Sequence, residues 1–182
     1  GDEDEDGNED EDGSSDGNGG AAGDDFIAQG GVMCATSTLP ANGGFIAACN
    51  DGASLARGEY LVFLNNDTLP QPGWLEALIG TFDAHPDAGL VGAQLLYPDG
   101  RLQEAGGVVF ADGSGWNYGR FESPEDSRFA YLRDCDYSSG AAIAIRRALF
   151  SALGGFDARY APAYYEDTDL AFAVRAAGKR VL

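Results

Sequence analysis

The sequence predicts an α/β fold, a mixed sheet flanked by helices, and three observations carry that expectation. From residue 43 onward, apolar runs of strand length alternate with stretches of helical periodicity. The run Tyr60-Leu61-Val62-Phe63-Leu64 stops abruptly at Asn65-Asn66-Asp67, as a buried strand does where it reaches a polar rim. About a hundred residues later, Glu166, Asp167 and Asp169 put carboxylates at the opening of a helix. In α/β proteins ligands gather at the carboxyl ends of the strands. Asp67 is therefore expected at the edge of a crevice, with a second acidic group facing it.

The elements follow in order. Gly43 to Ala56 reads as a helix of small residues, with Phe45, Ala48, Cys49, Ala53, Leu55 and Ala56 as its apolar set and Gly58 beyond its end. Glu59–Leu64 is the buried strand. Pro72 opens a helix whose Trp74, Leu75, Leu78, Ile79 and Phe82 share one face, with Pro86 past its end. Leu90–Tyr97 reads as a strand closed by the turn Pro98-Asp99-Gly100, and Val108–Phe110 as a further short strand. Residues 111–131 hold Gly, Ser, Asp and aromatics without periodicity, a long loop of the kind that often carries function. Ala141–Ile145 is a strand, Arg146–Leu153 a short helix ended by Gly154-Gly155, and Asp167–Ala177 a helix with Gly178 after it. Lys179–Leu182 begins another strand.

Composition separates two regions. The formal charge is −19, yet residues 1–25 carry 12 of the 30 acidic side chains and none of the basic ones. Residues 1–25 are expected to be a disordered acidic, Gly-rich tail, since they have almost nothing to bury. Residues 26–182 are mildly acidic and of a size to form one domain. Nucleic acid is not an expected partner, because the basic patch it needs is missing. Three cysteines without a CxxC pair and a single histidine, His85, argue against a structural zinc site. No apolar run approaches the ~18 residues of a membrane span. Asp2, Asp4, Asp6 and Gly7 imitate the start of an EF-hand loop. Glu9 and Gly13 then stand where that loop wants an apolar residue and a glutamate, so an acidic calcium-binding protein is the weaker alternative.

Five stretches in register carry a resemblance. They are Asn42-Gly43-Gly44-Phe45-Ile46-Ala47-Ala48-Cys49-Asn50-Asp51-Gly52, Ala56-Arg57-Gly58 through Asn65-Asn66-Asp67-Thr68, Ser139-Gly140-Ala141-Ala142, Gly154-Gly155-Phe156-Asp157 and Glu166-Asp167-Thr168-Asp169-Leu170. In order and spacing, roughly residues 40–182 resemble family 2 glycosyltransferases, the inverting enzymes with a GT-A fold, and within them rhamnosyltransferase-like domains. The resemblance implies a GT-A (nucleotide-diphospho-sugar transferase) sheet. That sheet is incomplete here: the family's first, nucleotide-holding strands have no counterpart before residue 40, and the family continues past a strand like Lys179–Leu182. Residues 26–182 are accordingly expected to be a partial catalytic domain, with further domains of a larger glycosyltransferase as partners.

The resemblance implies a nucleotide-diphosphate sugar as donor, a glycan or lipid-linked acceptor hydroxyl, a divalent cation (Mn2+ or Mg2+), and a cytoplasmic location that extends to the inner membrane face. Asn65-Asn66-Asp67 occupies the place of the family's DxD motif, so Asp67 is the expected metal ligand and Asn65 and Asn66 donor-binding. Oxygen ligands of that kind suit hard cations; read alone, the same residues also fit an Asx turn ending a strand. Asp167 is the expected base, with Glu166 positioning the acceptor or sharing the role. The rival reading of both is helix capping. Gly44 and Asn50 match a segment near the donor, with a glycine turn and a polar residue on a helix as the rival readings, and Ser139 and Gly140 match the loop facing the sugar, with a turn as the rival. Trp116 and Tyr165 offer ring faces for a sugar, with core packing as the alternative. Arg146 and Arg147 are candidate phosphate contacts, of which adjacent helix positions allow one. Against the transferase reading stands a non-catalytic fragment or interaction domain that keeps the scaffold.

Overall fold

The computed structural model describes residues 43–182, together with the backbone of two short strands, β1 (Ile27–Gln29) and β2 (Val32–Cys34), which pair antiparallel. The disordered tail expected over residues 1–25, and the EF-hand-like pattern within it, lie outside the described residues.

A four-stranded sheet organises the rest. Its strands are β3 (Tyr60–Leu64), β4 (Ala88–Gly92), β9 (Ala142–Arg146) and β10 (Arg180–Val181), in the order β10-β4-β9-β3. β9 runs antiparallel to both neighbours, and β10 parallel to β4, so the sheet is mixed. Strand β3 explains the layering. Leu61 and Phe63 point to one face, and Tyr60 and Val62 to the other. The first face packs against Ile46 of α1 (Gly44–Leu55), Phe150 of α3 (Arg147–Leu153), and Leu170, Ala171 and Val174 of α4 (Glu166–Ala176). The second packs against Leu78 and Phe82 of α2 (Trp74–Ala84). Phe63, Phe150 and Phe156 meet one another with ring centroids 5.1–5.4 Å apart and close the larger core.

Three departures from the sequence expectation have local causes. The strand expected over Leu90–Tyr97 splits after Gly92: Ala93 still bonds Ala142, but β5 (Leu95–Leu96) leaves the sheet to pair with β6 (Leu102–Glu104). Strand β6 was not foreseen; it has three residues and no apolar alternation long enough to read. Residues 111–131 are not one loop, since β8 (Gly115–Asn117) folds back on β7 (Gly107–Val109) as a hairpin. That hairpin rests on Tyr137 at Gly107, where a β-carbon would stand only 2.2 Å from the tyrosine ring. Only glycine permits this approach.

Candidate active site

The site is built on three consecutive peptides. Residues 139–141 connect the chain to the start of β9, and each reaches a different element. Ser139 donates its N–H to Glu104 Oε1 of β6 at 2.8 Å. Gly140 donates its N–H to Asp167 Oδ2 of α4 at 3.0 Å. Ala141 accepts at its carbonyl from the Asn65 N–H, just beyond β3, at 2.9 Å. Leu64 pairs with Ala142 in the sheet, so the end of β3 and the start of β9 are the same end of the fold. One short loop thus brings the Asn65-Asn66-Asp67 turn, Ser139, Gly140 and the acidic start of α4 together.

Each arm has a local reason. Thr68 closes the turn after β3, donating its N–H and its Oγ1 to the Asn65 carbonyl at 3.2 and 2.7 Å. Asn66 and Asp67 project from that turn into solvent. At α4, Asp167 Oδ1 accepts the Thr168 N–H at 2.7 Å, while Oδ2 takes the Gly140 N–H. Its two oxygens are thereby fixed in direction while the residue stays half exposed. Tyr164 and Tyr165, immediately before α4, both hold left-handed backbone, with φ of 83° and 72°. Bulky side chains rarely accept that region, at a cost of about 1–3 kcal/mol each, and such strain concentrates at functional sites.

Glu166 turns inward. It is 8% exposed, one of its carboxylate oxygens is buried without a hydrogen-bond partner, and burial raises its pKa, with the Asp167 charge adding to the effect. It faces α1, where burial, and then the Glu166 charge, push the Cys49 thiol up to about 11. Cys49 is accordingly a thiol, not a thiolate, at neutral pH.

The remaining expected residues are placed as follows. Gly44 opens α1 with φ 79°, and a β-carbon there would stand 3.6 Å from the Pro162 carbonyl oxygen. The Asn50 side chain both donates to the Phe156 carbonyl at 2.8 Å and accepts the Phe156 N–H at 2.9 Å, bracing α1 against the loop after α3. Tyr165 donates its hydroxyl to the Gly113 carbonyl at 3.3 Å, which ties the tip of the β7–β8 hairpin to the start of α4. Trp116 lies on β8 of that hairpin, 51% exposed, with the Arg120 guanidinium 6.0 Å from its ring. Arg146 and Arg147 are not near this loop. Arg146 pairs with Tyr60 at the opposite end of β3, where it binds Glu59 and the Tyr60 hydroxyl, and Arg147 donates to the Gly58 carbonyl. The phosphate-contact reading of both is therefore corrected: the strand carries them away from the site.

Sequence reasoning missed Glu104. It is 1% exposed, and burial pushes its carboxyl up to about 7; the Ser139 N–H pulls the other way and the Asp167 charge adds to the rise. Its one visible signal was a glutamate followed directly by Ala105-Gly106, between a turn and a strand, which resembles an exposed loop acid.

Among the described residues, no group of three His, Cys, Asp or Glu side chains could hold a metal ion. The donor set fits a divalent cation in a narrower sense. A single exposed carboxylate at Asp67, preceded in sequence by the amides of Asn65 and Asn66, suits a hard cation that takes its other ligands from phosphates and water. Two cavities of about 420 and 400 Å³ open elsewhere, beside β10 and behind Ser138, and neither is lined by Asp67 or Asp167. No helix among the described residues is long and apolar enough to cross a membrane.

A mixed α/β sheet with an acidic turn at one strand end and an acidic helix start beside it is the arrangement of a nucleotide-sugar transferase scaffold. The family profile described as glycosyl transferase family 2 matches residues 12–154, and the chain belongs to that family. The chain is 37% identical over 139 residues to the O-antigen biosynthesis protein RfbC of Myxococcus xanthus, covering 73% of this chain and 11% of that protein. It is 31% identical over 165 residues to a pre-mycofactocin glycosyltransferase of Mycobacterium tuberculosis, covering 87% of this chain and 32% of that protein. It is also 30% identical over 135 residues to the N-acetylglucosaminyl-diphospho-decaprenol L-rhamnosyltransferase of the same species, covering 66% and 42%. The chain thus spans less than half the length of each of these relatives.

Two solved structures share the fold. GalNAc-T7, solved with UDP, GalNAc and Mn2+, matches with a TM-score of 0.57 at 16% identity, over 76% of this chain and 28% of that one. A mannosyltransferase from Pyrobaculum calidifontis, solved with GDP-Man and Mn2+, matches with a TM-score of 0.50 at 21% identity, over 77% and 34%. They establish a GT-A fold.

Proposed function

We propose that this chain carries the acceptor-side part of a catalytic centre that moves a sugar from a nucleotide-diphosphate donor to an acceptor hydroxyl with inversion. The observation that carries the reading is the convergence of the Asp67 turn and Asp167 on the Ser139–Ala141 loop. Asp167 is the base. Its carboxylate takes the acceptor proton as the hydroxyl oxygen bonds to the anomeric carbon, and the bond from that carbon to the donor diphosphate breaks with its electron pair on the leaving oxygen. The Gly140 and Thr168 N–H groups hold that carboxylate in place. Asp67, with Asn65 and Asn66, is where a Mn2+ or Mg2+ ion would be held together with the donor. When bound, such an ion neutralises the leaving diphosphate. Trp116 and Tyr165 supply aromatic faces on the acceptor side.

The acceptor is proposed to be a glycan or a lipid-linked glycan, in keeping with the names of the O-antigen and decaprenol-linked relatives. With such an acceptor, the proposed location is the cytoplasm, extending to the periphery of the inner membrane face. A second reading, a scaffold without catalysis, draws on the two cavities that bypass Asp67 and Asp167. A panel of UDP-, dTDP- and GDP-sugars, assayed with Mn2+ and a lipid-diphosphate acceptor, separates the two. Transfer that Asp167→Asn abolishes supports the enzyme. Donor binding with no transfer by any pairing supports the scaffold.

A further inference from the structure

Glu104 has no part in the transfer chemistry above, yet it is bonded to the same loop. It is 1% exposed, Oε1 accepts the Ser139 N–H at 2.8 Å, and Oε2 is buried without a hydrogen-bond partner. The charge acting on it is the Asp167 carboxylate, and Tyr137 and Cys135 are the titratable side chains that feel its own charge. The one cation of that set, Arg133, acts on Cys135, and none of the charges acting on Glu104 is positive. A carboxylate buried without a cation destabilises a fold, and a well-packed apolar residue would serve the core better. Its one partner is the peptide next to the one that holds Asp167.

We propose that Glu104 is a positioning residue of the transfer site: it fixes the Ser139–Gly140 peptide so that the Gly140 N–H meets Asp167. This deepens the transferase reading and rests on it. The peptides that carry the Ser139 and Gly140 N–H groups are planar and share the Ser139 α-carbon, so once the Ser139 N–H is anchored only the φ and ψ of Ser139 are left to aim the Gly140 N–H. Anchoring Ser139 on β6 therefore narrows the directions in which Gly140 donates. The anchor depends on charge. An ionised carboxylate accepts a stronger, shorter hydrogen bond than a neutral carboxyl does. Burial puts the Glu104 transition at about 7, so the anchor tightens as pH rises through neutrality. The placement of Asp167 then follows the ionisation of a group that never touches substrate.

The test is a pH titration of the 15N-labelled full chain from pH 5.5 to 8.5, following the Ser139 and Gly140 amide signals. In the wild type both move together with a midpoint near 7. In Glu104→Gln, which keeps an acceptor oxygen and cannot ionise, neither moves. In Asp167→Asn the Ser139 signal still moves. A Gly140 signal that stays fixed while Ser139 titrates overturns the proposal, and this needs no variant. So does an unchanged titration of both amides in Glu104→Gln. In transfer assays the wild-type kcat rises through pH 7 with KM unchanged, and Glu104→Gln shows no step there; a step that persists overturns the proposal. If the amides titrate as expected and no nucleotide sugar is turned over, the anchoring by Glu104 stands and the transferase reading falls.

Discussion

Gly140 donates its backbone N–H to Asp167 Oδ2 at 3.0 Å, joining the loop before β9 to the first turn of α4. Because Thr168 N–H holds the other oxygen at 2.7 Å, the carboxylate is clamped from its own helix and from across the site. The proposed base, held this way, would meet an acceptor at one angle, which is what a displacement at the anomeric carbon requires.

Adding a methyl group at Gly140 tests the clamp. An alanine β-carbon would stand 3.1 Å from the Phe45 ring and 3.7 Å from Asp167 Cβ, so the ring or the loop must give way. Gly140→Ala is expected to cost about 1–3 kcal/mol by overpacking. It is also expected to lower kcat by about 10- to 100-fold, because small displacements of a catalytic group are expensive. Urea unfolding and initial-rate assays read the two effects. Adding Phe45→Leu to relieve the contact should recover most of both; failure to recover would mean that the glycine is needed for another reason.

The fold was largely legible because its strands are continuous apolar runs and its helices have one apolar face. Tyr60–Leu64, Trp74–Ala84 and Ala142–Arg146 fall within a residue or two of their expected bounds. The turn at Asp67 and the helix start at Asp167 were legible through motif order, and the sheet places both at one end. Glu104 was not legible. Nothing in three residues of strand tells that a glutamate faces inward, because its partner, the Ser139 N–H, lies 35 residues on. Asn50 matched a donor-side motif, but sequence could not reveal the peptide it braces more than a hundred residues on. Arg146 and Arg147 failed as phosphate contacts because strand direction, invisible in sequence, carries them to the far end.

Asn50→Ala separates bracing from donor contact. The substitution leaves the Phe156 N–H and C=O without their partners at 2.9 and 2.8 Å. Leaving two part-buried groups unpaired is expected to cost about 1–3 kcal/mol in urea unfolding. The donor dissociation constant, read by calorimetry, should change less than about threefold. A large loss of donor affinity with stability intact would assign Asn50 to the donor after all.

Asp67 should govern metal dependence without supporting the fold. It is exposed at a turn that Thr68 closes through the Asn65 carbonyl, so Asp67→Ala leaves those bonds in place. The melting temperature should stay within about 2 °C, in line with an exposed substitution. Donor binding in the presence of Mn2+ should fall by roughly 10-fold or more, to the level seen with chelator. Equal stimulation of wild type and variant by Mn2+ would place the cation elsewhere.

Stability should fall as pH rises from about 5 to about 7, and Glu104 is the main reason. Its carboxyl sits at about 7 in the folded chain against an ordinary value of 4.5. Between those values the folded state keeps a proton that the unfolded chain has released, so unfolding becomes easier as pH increases. Glu166, also raised by burial, acts in the same direction. The carboxylates held low by neighbouring arginines, such as Asp134 beside Arg180, act in the opposite sense, but their effect is complete below pH 5. A rise from 4.5 to about 7 corresponds to a loss on the order of 3 kcal/mol across the window. Glu104→Gln keeps an acceptor for the Ser139 N–H and has no proton to lose. Its urea midpoint should therefore decline much less between pH 5 and 7.5 than that of the wild type. Parallel declines would mean that Glu104 ionises with little cost, and that the pH dependence comes from another group.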